Sequence, residues 1–250
     1  MKSMRNSISI KFEVARKILH ITLTLLLLIP LSSYYRELFS GVGNLIDPTL
    51  LTYSTLLFAS ALINSIQIRM PYIRLHILNM FRDYRKKVID YVTESLVNTP
   101  LNEFLKELNK IFSRYEESLD SFIESVERDY EKRYGYVSVT FALLSIFLSY
   151  VTCGYDAYVG ILALAFVDSI TSIVTLLDGK SRKVFKHTVK AYLIAFSIFA
   201  SILFFLVKNI IIALIVSATS ILVEMFSPED NLTLPLIPTV VFSVLKTLFI

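Results

Sequence analysis

The chain has 250 residues, 54% of them hydrophobic, with a mean hydropathy of +0.61 and a net charge of +4. That is too apolar for an ordinary soluble domain of this size. A single cysteine, Cys153, excludes an intramolecular disulfide and a cysteine metal cluster.

In chain order, seven apolar runs read as membrane spans: 18–31, 50–68, 136–151, 157–177, 191–207, 210–223 and 236–250. A bilayer core about 30 Å thick takes roughly 20 mostly apolar residues, and flanking polar residues lengthen the shorter runs. The first run is followed by Ser32, Ser33 and Tyr34, a poor cleavage site, so it reads as a span and not as a signal peptide. The basic residues sort by side. Of the 25 Lys and Arg, 22 lie in the N-terminal segment, between Arg69 and Gly135, and between Asp178 and Lys190. Only Arg36, Lys208 and Lys246 fall on the other side. The positive-inside rule then predicts an integral membrane protein with a cytoplasmic N-terminus and an external C-terminus. The positive net charge follows from this arrangement, with anionic headgroups as an added partner, and needs no nucleic acid.

Residues 81–134 differ from the rest: they are charged, with nearly balanced signs. Leu101, Phe104, Leu105, Leu108, Ile111, Phe112, Tyr115, Leu119, Phe122, Ile123, Val126 and Tyr130 recur at spacings of three and four. Thr99 is placed to cap this helix, with Pro100 at its first position. Val88, Ile89, Val92 and Leu96 form a shorter amphipathic pattern before it. The expectation is a cytoplasmic helical hairpin, packed apolar face to apolar face, that joins two spans or serves as a docking arm, a homodimerisation element or a lid over the active face. The predicted fold is therefore all-α and polytopic, with about seven transmembrane helices. Its regions are 1–80 with two spans, the hairpin 81–134, and 135–250 with about five spans and a nucleotide site.

Four polar groups need a reason. Asp168 sits within the apolar run of the fourth span, where a carboxylate costs roughly 2.5–3.5 kcal/mol on insertion scales. It faces a cavity, a metal or a partner charge, or else bonds a neighbouring helix together with Ser169, Thr171 and Ser172. Glu224, Glu229, Asp230 and Asn231 cluster between the sixth and seventh spans, near Pro228 and Pro235. Hard oxygens of this kind suit Mg²⁺, which also keeps waters and substrate phosphates; the alternative is a solvated turn. Arg16, Lys17 and His20 stand at the mouth of the first span, with Arg16 and His20 four apart on one face and Glu13 three before Arg16; Arg16 and Lys17 also suit a topology anchor. Lys180, Arg182, Lys183, Lys186 and His187 follow the fourth span, as topology signals or as neutralisers of a polyphosphate. In the predicted topology all four groups reach one membrane face.

These elements resemble the CTP-dependent polyprenol kinase family, which includes dolichol kinase, phytol kinase and a CTP-using diacylglycerol kinase and is related to integral-membrane cytidylyltransferases. The similarity lies in Arg16-Lys17-Ile18-Leu19-His20, in Asp168 followed by small residues and later Gly179-Lys180, in His187-Thr188-Val189-Lys190-Ala191, and in Glu224 through Asp230-Asn231 to Pro235. It covers most of the chain outside the hairpin. Val167 and Thr175 stand where the family has glycines, and Lys190-Ala191 where it has Glu-Gly. The resemblance implies a lipid kinase transferring the terminal phosphoryl group of CTP to a polyprenol such as dolichol. It implies Mg²⁺ on Asp168, Asp230 and Glu224, catalytic roles for Asp168, Asp230, Asn231 and His20, and nucleotide contacts from Lys180, Arg182, Lys186, His187, Arg16 and Lys17. The alternatives are a cytidylyltransferase making a CDP-lipid and an inactive membrane protein that binds a partner through the hairpin.

Overall fold

A computed structural model describes residues 2–39, 46–70, 73–95, 100–126, 135–178 and 181–249. The expected cap Thr99 and the candidate ligand Lys180 lie outside the described residues. The chain is helical and forms two compact units, Met1–Leu62 with Tyr136–Ile250, and Ile63–Gly135. The second unit begins at Ile63, within the last turns of the helix Pro48–Arg69.

The first unit contains α1 (Lys2–Leu26), α2 (Ser33–Leu38), most of α3 (Pro48–Arg69), α6 (Val137–Cys153), α7 (Ala157–Asp178), α8 (Val189–Val207), α9 (Ile210–Phe226) and α10 (Asp230–Phe249). Among the described residues, five segments are long and apolar enough to cross a membrane: Phe12–Leu31, Pro48–Arg69, Val137–Asp178, Val189–Val207 and Asp230–Phe249. Ile210–Phe226 is a shorter apolar helix. The 42-residue segment Val137–Asp178 is two helices, α6 and α7, broken by a 3₁₀ turn at Gly154–Asp156. Gly154 adopts φ +61°, which glycine tolerates without steric cost. These helices make the chain a membrane protein.

Helix α7 is the centre of the unit. Val159, Ile161, Ala163, Ala165 and Val167 are fully buried, and α1, α8 and α10 pack around it. Small residues let helices approach closely where lipid offers no hydrophobic drive to associate. Gly160 is the tightest point, since a Cβ there would come 1.8 Å from the Pro235 carbonyl oxygen. Pro235 and Pro238 lie inside α10 and each removes a backbone donor. Side chains of α6 support this stretch, with Ser145 donating to the Leu232 carbonyl (2.5 Å) and Ser149 to that of Pro235 (3.1 Å).

A ribbon of two short antiparallel strands, β1 (Lys183–Val184) and β2 (His187–Thr188), links α7 to α8. Composition gave no sign of it. Phe185 at its tip holds φ +59°, a left-handed conformation that costs a non-glycine residue about 1–3 kcal/mol. Its ring packs edge-on against Phe226 at the end of α9, with centroids 4.9 Å apart.

In the second unit α4 (Ile73–Ser95) and α5 (Pro100–Val126) form the expected helical pair. Its contact face departs from the expectation. Arg82 pairs with Asp120 and with Glu116 (3.5 Å), and Arg85 pairs with Glu116 (2.8 Å), so charges clasp the antiparallel helices. Phe112, expected in an apolar seam, is 53% exposed, and Phe104, Ile111 and Tyr115 are exposed with it. The longer polar side chains reach across the gap, and the aromatic stripe turns outward.

Candidate functional site

Asp168 lies three turns into α7, eight residues after the Gly160 contact that draws α10 close. Lys17 on α1 donates to both its carboxylate oxygens, at 2.8 Å each, and His20 Nε2 stands 3.4 Å from Oδ2. Lys17 and His20 are three residues apart and share a helix face. Arg16, four residues before His20 on the same helix, has its guanidinium paired with Glu13. The carboxylate is therefore held by an ammonium within an apolar helix packing, which offsets much of the cost of burying it.

Glu224 is 0% exposed near the end of α9. Asp230 is the first residue of α10, where the positive end of the helix dipole favours a carboxylate. Between them the turn is fixed by Ser227, whose hydroxyl accepts from the Glu229 N–H (3.1 Å) and from the Thr233 hydroxyl (2.6 Å). One carboxylate oxygen from each of Asp168, Glu224 and Asp230 lies within 4.8 Å of the other two. Lys186, next to the ribbon tip, pairs with Asp230.

His187 is held on several sides. Its Nε2 is 3.1 Å from Glu224 Oε1 and its Nδ1 is 3.1 Å from Thr175 Oγ1. Its backbone N–H donates to the Tyr192 hydroxyl (3.3 Å), and the two rings meet edge to face. Burial pulls the imidazole down to about 4, so it is neutral at physiological pH. The second oxygen of Glu224, Oε2, has no hydrogen-bond partner among the described residues.

Three carboxylates so close repel one another, and two ammonium groups balance only two of them. A buried carboxylate oxygen without a donor is costly. A hard divalent cation resolves both conditions at once, because it takes oxygen ligands and supplies the missing charge. The donor set therefore fits Mg²⁺.

The structure thus brings together Asp168, Glu224, Asp230, Lys17, His20, Lys186 and His187. It leaves others apart. Asn231 donates to Glu229 Oε1 (3.1 Å), Arg16 is taken by Glu13, and the exposed Arg182 precedes the ribbon. Thr175 and Tyr192 were missed as site residues. Thr175 was legible in principle: it lies seven residues after Asp168, two helical turns along the same face. Tyr192 carried no such signal, since the ribbon decides what it meets. No family model, no curated protein and no solved structure matches the chain.

Proposed function

We propose that this chain is a membrane-embedded lipid kinase that uses Mg²⁺ and moves the terminal phosphoryl group of CTP to a polyprenol such as dolichol. The observation that carries the reading is the trio Asp168, Glu224 and Asp230, set among apolar helices and flanked by Lys17 and Lys186. CTP and polyprenol come from the resemblance; cation, phosphate and membrane come from these residues. The proposed topology has seven crossings, made by α1, α3 and α6–α10, with the N-terminus and the helical pair cytoplasmic and the C-terminus external.

In this reading Asp168, Glu224 and Asp230 hold the cation, which when bound neutralises charge on the phosphate oxygens. Lys186 and Lys17 lie beside those carboxylates and turn their ammonium groups to the polyphosphate. His20, at the mouth of α1, accepts the proton of the lipid hydroxyl as its oxygen attacks the γ-phosphorus, the bond to the β,γ-bridging oxygen breaks and CDP leaves. The apolar tail stays among the helices, so the hydroxyl is confined to the plane of the site, and this proximity lowers the barrier. A cytidylyltransferase would need a free cation for an acceptor that is already charged. Arg16 pairs with Glu13 and Lys17 with Asp168, just as Lys186 pairs with Asp230, so the position of the label in the product separates the two readings.

The deciding test incubates purified chain with Mg²⁺ and CTP labelled at the α- or γ-phosphate, with polyprenols and diacyl lipids as acceptors. Label from the γ-phosphate in a polyprenyl phosphate is expected. Label from the α-phosphate in the lipid means a cytidylyltransferase. No transfer, with no CTP-dependent heat stabilisation, means a partner-binding protein. Topology is tested with single cysteines in a Cys153→Ala background. Ser118→Cys should be shielded from an impermeant reagent in intact cells and Lys208→Cys labelled; the reverse pattern overturns the shared cytoplasmic face.

A further inference from the structure

We infer that Thr175 is a positioning residue for Glu224, acting through the ring of His187, and that it sets the affinity of the carboxylate trio for a divalent cation. The inference rests on the metal reading of that trio. The Thr175 hydroxyl oxygen receives the Thr188 N–H at 3.3 Å, which leaves its own proton free for His187 Nδ1 at 3.1 Å. A ring that accepts at Nδ1 carries its proton on Nε2, and Nε2 points at Glu224 Oε1, 3.1 Å away. A carboxylate serving as metal ligand is ionised and can only accept, which requires this tautomer. Oε1 is then occupied by a donor, and Oε2, the oxygen without a partner among the described residues, is the one presented to the cation.

The chain Thr175, His187, Glu224 is an outer shell of the kind that orients metal ligands. It is rigid at each link. Thr175 is on the central helix, the His187 backbone is tied to the Tyr192 hydroxyl, and Thr188 caps α8 by accepting the Ala191 N–H. A glycine at 175 would supply no hydroxyl, so the ring would lose the partner that selects its tautomer. The residue that departs from the resembled pattern is the one that completes the shell.

The test measures Mn²⁺ binding to the purified full chain by electron paramagnetic resonance, together with ¹⁵N spectra of histidine-labelled protein. The chain has three histidines, so three imidazoles are read. Thr175→Val keeps the shape and removes the hydroxyl; it should weaken Mn²⁺ binding roughly 10- to 100-fold and shift the His187 ring away from the Nε2–H tautomer. Thr175→Ser should restore both. In a His187→Leu background Thr175→Val should cost nothing further, since its effect passes through the ring. Wild-type binding with an unchanged Thr175→Val affinity overturns the inference alone, as does an equal loss in the His187→Leu background. Absence of Mn²⁺ binding in the wild type overturns the metal reading, and the ¹⁵N spectra then still decide whether Thr175 fixes the ring. If Thr175→Val does not fold, Thr175→Ser against Thr175→Ala gives the same comparison, and equal affinities there overturn the inference.

Discussion

The two ends of the first unit both carry polar groups, and they handle them differently. Helix α7 has Asp156 just before its start and Asp168 twelve residues later, about 18 Å along the axis. Around Asp156 each group is answered singly. Lys246 donates to Asp156 at 2.7 Å, Tyr150 donates to Asp47, Thr49 donates to the Pro30 carbonyl (2.7 Å), and Tyr53 to that of Leu27 (2.6 Å). Around Asp168 the acids are gathered, and one buried oxygen of Glu224 has no donor among the described residues. Polar pairs that satisfy each other hold helices together. Like charges held close together are the feature on which the proposed cation site rests.

The sharpest way to break this contrast is to neutralise one acid at each end. Once wild-type turnover is shown, Asp168→Asn or Asp230→Asn should lower phosphoryl transfer by roughly 10²- to 10³-fold, the scale of losing one preorganised charge at a reacting centre. The double variant should be little worse than either single one, because the ligands act as a unit. Asp156→Asn should leave turnover intact and cost at most about 1 kcal/mol of stability, since Lys246 is half exposed. Near-normal transfer by Asp168→Asn would make that residue a helix-packing group.

Gly160→Ala addresses the fold that carries both ends. Its Cβ would meet the backbone of α10, which cannot rotate away, so a loss of about 1–3 kcal/mol is expected in thermal melts of purified protein. Glu224→Gln should behave in the opposite sense. Without added cation its melting temperature should equal or exceed that of the wild type, because a repelling charge is gone. The stabilisation by saturating Mg²⁺, about 2.7 kcal/mol at a hundred times the dissociation constant, should disappear. A large loss of stability without cation would move Glu224 into the structural class.

Lys186→Ala should weaken CTP binding about tenfold, the worth of one charge-assisted contact, while its Mg²⁺ dependence remains. The smallest effect is the pH dependence of His187. Its folded value of about 4 lies below the ordinary 6.5, so the unfolded chain binds more protons between these values. This contribution to stability is complete above pH 6.5 and declines as pH falls toward 4. His187→Gln should flatten that part of a stability–pH profile, and an unchanged profile would show that the ring is solvated.

The sequence by itself determined the helical membrane class, through the length of its apolar runs, and it singled out Asp168, Glu224 and Asp230. A carboxylate in such surroundings is costly enough to be visible without coordinates. It also located the helical pair, since a period of three and four is a local property. What the pair buries was not local. The aromatic stripe and the charged positions were both compatible with a seam, and the reach of Arg82 and Arg85 to Glu116 and Asp120 decided it. Which basic residues join the acids was likewise left to packing: Lys17 and His20 turn to Asp168 while Arg16, one residue away, meets Glu13 within its own helix. Thr175, His187 and Tyr192 come together only because the short ribbon folds back onto α7, a contact between distant segments that no spacing in the sequence specifies.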